Sequence, residues 1–396
     1  MLKLASLVRP WRSRWLLYST LALFACSCGI VLSQLLTVET AVATPPPEYV
    51  WPLPDWAPRP RVPADNPMTA AKVELGRHLF YERRLSVNGE QSCASCHLQK
   101  LAFSDGKPVS VGTTGEPHPR NSMSLTNVGY NSVLTWANPL MRHLEQQMLT
   151  PLFGEEPVEL GMAGKEEQIL QMLAQDVDYA QRFVAAFPDE SQPISIRNLA
   201  RAIASFERSL VSFSSPYDRY RYEGDRAAIS AAARRGEQLF HSERLECFHC
   251  HGGLNFSDST VHERSGFTEI AFHNTGLYNL DGRGAYPPPN TGVEEITHRP
   301  EDMGHFKAPT LRNIALTAPY MHDGSVPTLE DAIEHYAAGG RTLSSGPDAG
   351  VGRDNPLKSH FIQGFTLTVQ EQQDLLAFLN ALTDEAFINN SQFSEP

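Results

Sequence analysis

Two strings of five residues constrain this chain more than anything else in it: Cys93-Ala94-Ser95-Cys96-His97 and Cys247-Phe248-His249-Cys250-His251. A Cys-x-x-Cys pair followed at once by histidine is the pattern of covalent c-type haem attachment. The two thiols form thioethers to the haem vinyl groups, and the histidine becomes the proximal iron ligand. Cysteines in an exported chain can close disulfides instead. Here four fall in the two strings, and the other two, Cys26 and Cys28, lie in an apolar N-terminal run. Zinc would want four ligands from each cluster. The reading is therefore two haems, one on Cys93, Cys96 and His97 and one on Cys247, Cys250 and His251.

The N-terminal run supports export. Lys3, Arg9, Arg12 and Arg14 precede an apolar stretch over 15–36, and Ala41-Val42-Ala43 offers a small-residue cleavage site. This reads as an export signal over residues 1–43 and a periplasmic location. The stretch is also long enough to serve as an uncleaved anchor, since a bilayer needs about 20 apolar residues. The site ending at Cys26 is a poor lipidation signal. A chain of 396 residues suits two ordinary domains. Its net charge of −12 argues against nucleic acid, which needs a basic face.

Residues 44–65 are proline-rich and read as an extended arm. Beyond them a weak repeat appears. "LGRHLFYERRLS" (75–86) precedes the first cysteine string and "RGEQLFHSERLE" (235–246) the second. Helical spacing places Ile196, Leu199, Ile203, Phe206 and Leu210 on one face of a helix between them. A capping box, Thr368-x-x-Glu371, opens a last helix with an apolar stripe. With long Gly/Pro/Asn loops and no β-α-β alternation, the expected fold is mostly α. It comprises two cytochrome c-like haem domains, over 66–220 and 221–396.

Two haems alone would make an electron carrier, but four segments point further. "PRNSMSLTNVGYNSVLTW" (119–136), "LEQQMLTPLFGEEPVELG" (144–161), the stretch over 308–340 and "FTLTVQEQQDLLAFLNAL" (365–382) together resemble the bacterial di-haem cytochrome c peroxidase family. That family includes MauG, which oxidises tryptophans in a partner protein. "LTWANP" and "PLFGEEPVELG" look most like its MbnH branch.

The resemblance implies a set of roles. A peroxidase iron needs an open sixth position and a polar group that moves the peroxide proton. Glu159 in "PVELG" matches that group, with Gln147 in "LEQQ" assisting, although the stretch between them is longer than in the family. Trp136 matches the tryptophan between the haems, with "WANP" replacing the family's Trp-Asp-Gly-Arg. Asn121 matches a ligand to an interdomain Ca²⁺, whose other ligands are the backbone carbonyls of Thr317 and Pro319. Tyr336 stands where simple peroxidases place a methionine on the second iron and where MauG places tyrosine. The histidine that blocks the first iron in simple peroxidases would fall near Thr113 and is absent. His118 is left as an alternative ligand.

The expected activity is H₂O₂-dependent oxidation of a partner protein through a high-valent di-haem state. The tryptophan of an MbnP-like copper-binding protein is the implied target. MauG's exit tryptophan corresponds here to Leu245, so an exit route would use Tyr278, Tyr320 or the haem edge. The alternative is a cytochrome c peroxidase fed by a small cytochrome or cupredoxin. An electron-transfer cytochrome without catalysis is the third reading.

Overall fold

The computed structural model describes residues 49–396, so the export signal, cleavage site and anchor lie outside the described residues. Among the described residues no helix is long and apolar enough to cross a membrane. Short helices and long loops dominate, and the only two paired strands described are β1 (Thr342–Leu343) and β2 (Gly350–Val351), which are antiparallel.

Two helix crossings organise the molecule. In chain order the helices used below are α1 (Ala70–Tyr81), α2 (Cys93–Cys96), α3 (Leu144–Gln147), α4 (Leu149–Phe153), α5 (Ile196–Ser209), α6 (Pro216–Tyr222), α7 (Ala231–Phe240), α8 (Cys247–His251), α9 (Leu329–Ala338), α10 (Val369–Asn380) and α11 (Glu385–Ile388). α1 packs on α5, and α7 packs on α10. Thr69, Ser195, Ser230 and Thr368 cap these four helices with hydroxyls that accept early N–H groups. The expected capping box of α10 forms, with Glu371 accepting from the Thr368 N–H at 2.8 Å.

Each crossing closes on a glycine. A Cβ at Gly76 would sit 1.9 Å from the Ala202 carbonyl oxygen, and one at Gly236 would sit 2.0 Å from that of Asp374. A side chain at either place would force the helices apart. Beside the first glycine, Phe80 meets Phe206 at 5.2 Å between ring centres; beside the second, Phe240 meets Phe378 at 5.2 Å. Around these pairs grow two main buried clusters, one for each cysteine string. Phe387 and Phe393, at the chain's C-terminal end, pack into the first cluster.

Beside the second cluster lies a buried polar pair that also touches Phe213. Arg312 forks onto Asp218 at 2.9 and 3.1 Å, with side-chain exposures of 1% and 0%. Its guanidinium also donates to the Leu254 carbonyl and lies 4.6 Å from the centre of the Phe213 ring. The part of the proline-rich arm that is described docks on this body. Trp56 stacks on Tyr222 at 4.0 Å, and the Tyr130 hydroxyl donates to the Pro58 carbonyl at 2.7 Å. Its half-buried Trp51 and Trp56 pack with the buried Tyr130 and Phe213 into a small third core.

Candidate functional site

The two histidines that end the strings are prepared in the same way. His97 donates from Nδ1 to the Phe103 carbonyl at 2.8 Å, and His251 to the Phe256 carbonyl at 3.2 Å. Placing the proton on Nδ1 leaves the Nε2 lone pair free for iron. Burial lowers both imidazole pKa values, so each is a neutral ligand. To aim those carbonyls, Phe103 and Phe256 both take left-handed backbone, with φ of 61° and 50°. Non-glycine residues rarely hold that conformation, and it concentrates at functional sites.

The cysteines fit haem attachment. None of the four is in a disulfide. Burial raises the Cys93 and Cys96 pKa values and pushes that of Cys247 up to about 12. Buried neutral thiols suit thioether formation. A zinc cluster would need thiolates.

A cavity of about 440 Å³ opens beside the second string, and Cys247, Cys250, His251, Trp136, Lys307 and Tyr336 all line it. Tyr336 comes from α9, whose start is fixed by the Thr328–Asp331 capping box. Burial raises the Tyr336 phenol well above its ordinary value. A bound metal cation inverts that logic by stabilising the phenolate. Met321 lines the same cavity from the turn before α9.

Two groups in this cavity lack a natural partner. Lys307 is 2% exposed, and burial lowers its pKa to about 8. His322 is stacked on Phe306 at 3.7 Å with its buried Nε2 unpaired. Burial lowers its pKa to about 4. Buried polar groups of this kind normally have partners. A prosthetic group carrying carboxylates would supply them.

Trp136 joins the halves. Its indole N–H donates to the Asn121 carbonyl at 2.8 Å, and its own carbonyl accepts from the Lys307 N–H at 2.8 Å. Asn121, Thr317 and Pro319 also line the cavity. The Asn121 side-chain amide donates to the Lys107 carbonyl at 2.8 Å and the Pro108 carbonyl at 3.3 Å, so its Nδ2 faces backbone oxygens.

On the first side, Glu159 follows α4 and is held by its backbone, whose carbonyl accepts from the Thr113 N–H at 2.8 Å. Its charge acts on Cys93, Cys96 and His97. Gln147 ends α3, half-buried, and no hydrogen bond joins its side chain to Glu159. His118 is the residue that approaches Glu159, with Nε2 3.5 Å from Oε1. That approach was hidden in the sequence, where His118 drew notice only as a possible iron ligand. Glu207 was missed altogether. It is 5% exposed on α5, one of its carboxylate oxygens is unpaired, and burial raises its pKa to about 8. A charged residue inside a helix buried on nearly every side was the available signal.

Comparison with known proteins now has a geometry to be set against. The family of di-haem cytochrome c peroxidases matches residues 70–227, and a RoxA-like, cytochrome c-like family matches residues 305–337. The cytochrome-c peroxidase IdrP1 of Pseudomonas sp. (strain SCT) is 33% identical over 90% of this chain and 91% of its own. The methylamine utilization protein MauG of Methylorubrum extorquens is 33% identical over 82% of this chain and 81% of its own. A crystal structure described as a MauG-like protein associated with microbial copper homeostasis is 52% identical, with a TM-score of 0.85. It covers 88% of this chain, which covers 99% of it.

Proposed function

Because the chain belongs to the di-haem cytochrome c peroxidase and MauG family, and so is a haem-dependent oxidoreductase acting on peroxide with two c-type haems, we propose that it is an enzyme of MauG and MbnH type. It would use H₂O₂ to oxidise a partner protein, at a tryptophan of a small exported copper-binding protein. The observation that carries this reading is Tyr336 on the cavity of His251. The 52% identity to a protein associated with copper homeostasis supports the choice of partner.

Haem at each string would supply iron able to take oxidising equivalents from peroxide. The protein's part follows from its residues. Glu159 would accept a proton from H₂O₂ and return it to the departing oxygen, with Gln147 orienting the substrate. Trp136, fixed through Asn121 and Lys307, would be the aromatic bridge between the sites. Tyr336, as an anionic ligand, would favour the oxidised states of the second iron where methionine favours reduction. Lys307 and His322 would meet the haem carboxylates. Ca²⁺ would be held by Asn121 and the carbonyls of Thr317 and Pro319, since hard oxygen donors suit it. Tyr320, on the cavity wall, or Tyr278, whose hydroxyl donates to Asp323 at 2.6 Å, would provide the exit in place of a tryptophan. The haem-bearing units are residues 66–220 and 221–396. The N-terminal segment would direct the chain to the periplasm or anchor it there.

The test is low-temperature EPR and near-infrared absorption of the di-haem protein before and after one equivalent of H₂O₂. One high-spin and one low-spin ferric haem, followed by a long-lived near-infrared band that Tyr336→Met loses, is the expected result. Two low-spin haems, or a band unchanged in the variant, would remove Tyr336 from iron. A second reading, peroxide reduction with electrons from a small cytochrome or cupredoxin, draws support from the equal identity to IdrP1. Rapid steady turnover with a reduced cytochrome would favour it.

A further inference from the structure

The stretch from Ser110 to Asn121 folds into a tight hairpin against Glu159. Val111 bridges Pro117, and the His118 N–H donates to the Ser110 carbonyl at 2.8 Å. A Cβ at Gly112 would sit 1.8 Å from the Val158 carbonyl oxygen, so the hairpin lies directly on the loop that carries the acid. Thr113 fixes the Glu159 backbone, and Glu116 reaches the Val158 N–H at 3.4 Å.

His118 stands at the base of the hairpin with both ring nitrogens engaged. Nδ1 lies 3.1 Å from both the Arg120 N–H and the Arg120 carbonyl oxygen, so it finds a partner in either tautomer. In the tautomer that accepts the N–H, the proton is on Nε2, which faces Glu159 Oε1 at 3.5 Å. Such contacts are commonly long before substrate binds and tighten afterwards. Arg120, the next anchor, holds Glu295 and donates to Asn290 at 3.1 Å. Asn290 returns a bond to the Pro119 carbonyl at 2.8 Å. Both residues belong to the second half of the chain, so the base of the hairpin is fastened from outside the first site.

We propose that His118 is a positioning residue for Glu159. Its Nε2–H holds one carboxylate oxygen and leaves the other free to exchange a proton with peroxide. With Nδ1 occupied and the ring tied through Arg120, His118 serves the acid and does not block the iron. This rests on the reading of Glu159 as the peroxide acid–base group. The pair is about one-third exposed on each side, 29% for His118 and 32% for Glu159. Exposed pairs add little to stability, so the contact acts through geometry.

The test uses the holoenzyme and four variants: His118→Leu, His118→Gln, Glu159→Gln and the double variant His118→Leu/Glu159→Gln. Haem content and circular dichroism should match the wild type. The first readout is the second-order rate of the ferric protein with H₂O₂. The second is the C–O stretch of the ferrous carbonyl complex, which reports how polar groups face the first iron. His118→Leu is expected to slow the reaction about 10- to 100-fold, part of the about 10²–10⁴-fold that a positioned acid–base group supplies. Gln, which keeps an N–H near the Nε2 position, should restore most of the rate and the C–O band. On the Glu159→Gln background, His118→Leu should add less than about twofold, because coupled residues are non-additive. Equal losses on both backgrounds, or no rescue by Gln, overturn the proposal alone. An unchanged rate in Glu159→Gln overturns the reading of Glu159 and this proposal with it.

Discussion

The two halves hold their histidines with the same parts and differ in what faces them. Gly76 and Gly236 close the helix crossings, and Phe80 and Phe240 meet Phe206 and Phe378. Phe103 and Phe256 complete each set, at 6.0 and 6.1 Å from those same phenylalanines, and turn a carbonyl to the histidine. Opposite the first string stand Glu159 and His118, in reach of solvent; opposite the second stands Tyr336 inside a cavity. Neither distal set comes from the repeated segments. Glu159 and His118 lie in the loops between the halves' shared helices, and Tyr336 lies on a helix with no described counterpart in the first half. The repeated scaffold holds the two histidines, and on the proposed reading the segments outside the repeat decide what each iron does.

Exchanging the distal acid tests that division most severely. Glu159→Gln should lower the peroxide rate by about 10²–10⁴-fold, the usual worth of a general acid–base group. The thermal midpoint should move little, because the side chain is one-third exposed. Stopped-flow kinetics with a melting curve checks both. A large stability loss would mean that Glu159 belongs to the scaffold.

The buried Arg312–Asp218 pair offers the next largest effect. Arg312→Ala leaves the Asp218 carboxyl without its buried partner in a site with no exposure. Breaking one partner of such a pair costs about 3–5 kcal/mol. Chemical denaturation should show that loss. A loss below about 1 kcal/mol, the scale of an exposed pair, would make the pair incidental.

Much of this was legible. The cysteine strings and the repeat around Leu79-Phe80 and Leu239-Phe240 carried the helical fold, and the longer segments carried the family. Tyr336 and Glu159 were nominated by the resemblance of those segments to the family. What stayed hidden depends on the chain meeting itself at a distance. His118 reaches Glu159 only because a hairpin lies on the loop after α4. The docking of the proline-rich arm depends on Trp56 finding Tyr222 far along the chain. Composition alone made that arm look extended. Lys307 carried no sequence mark, since the demand for a partner exists only once burial is known; His322, read in the sequence as a haem-pocket or interface residue, does line the cavity.

The glycines test the repeat itself. Gly76→Ala and Gly236→Ala should each destabilise their own half by about 1–3 kcal/mol through overpacking. The local stability gain of alanine in a helix, about 1 kcal/mol, is too small to compensate a Cβ placed on a carbonyl. The two losses should be similar, because the clashes are 1.9 and 2.0 Å. Hydrogen exchange resolved by segment would assign each loss to its half. A clear loss at one site only would break the symmetry of the scaffolds.

The smallest effect separates the two crossings on their inner faces. Counting from the paired phenylalanines, Glu207 follows Phe206 where Leu379 follows Phe378. Burial, opposed by Arg208 and aided by Glu145, raises the Glu207 pKa to about 8 from its ordinary 4.5. The folded protein therefore keeps a proton that the unfolded chain releases above pH 4.5. Folded protein binding more protons means that stability falls as pH rises. The contribution of Glu207 is full below pH about 4.5 and is lost through pH about 8, with a slope no steeper than about 1.4 kcal/mol per pH unit. Glu207→Gln should flatten the stability curve between pH 5 and 8, measured by denaturation of the holoprotein. It should leave the peroxide rate close to that of the wild type. If the curve keeps its slope, Glu207 is ionised and paired in the folded state, and the first crossing tolerates a charge where the second demands leucine.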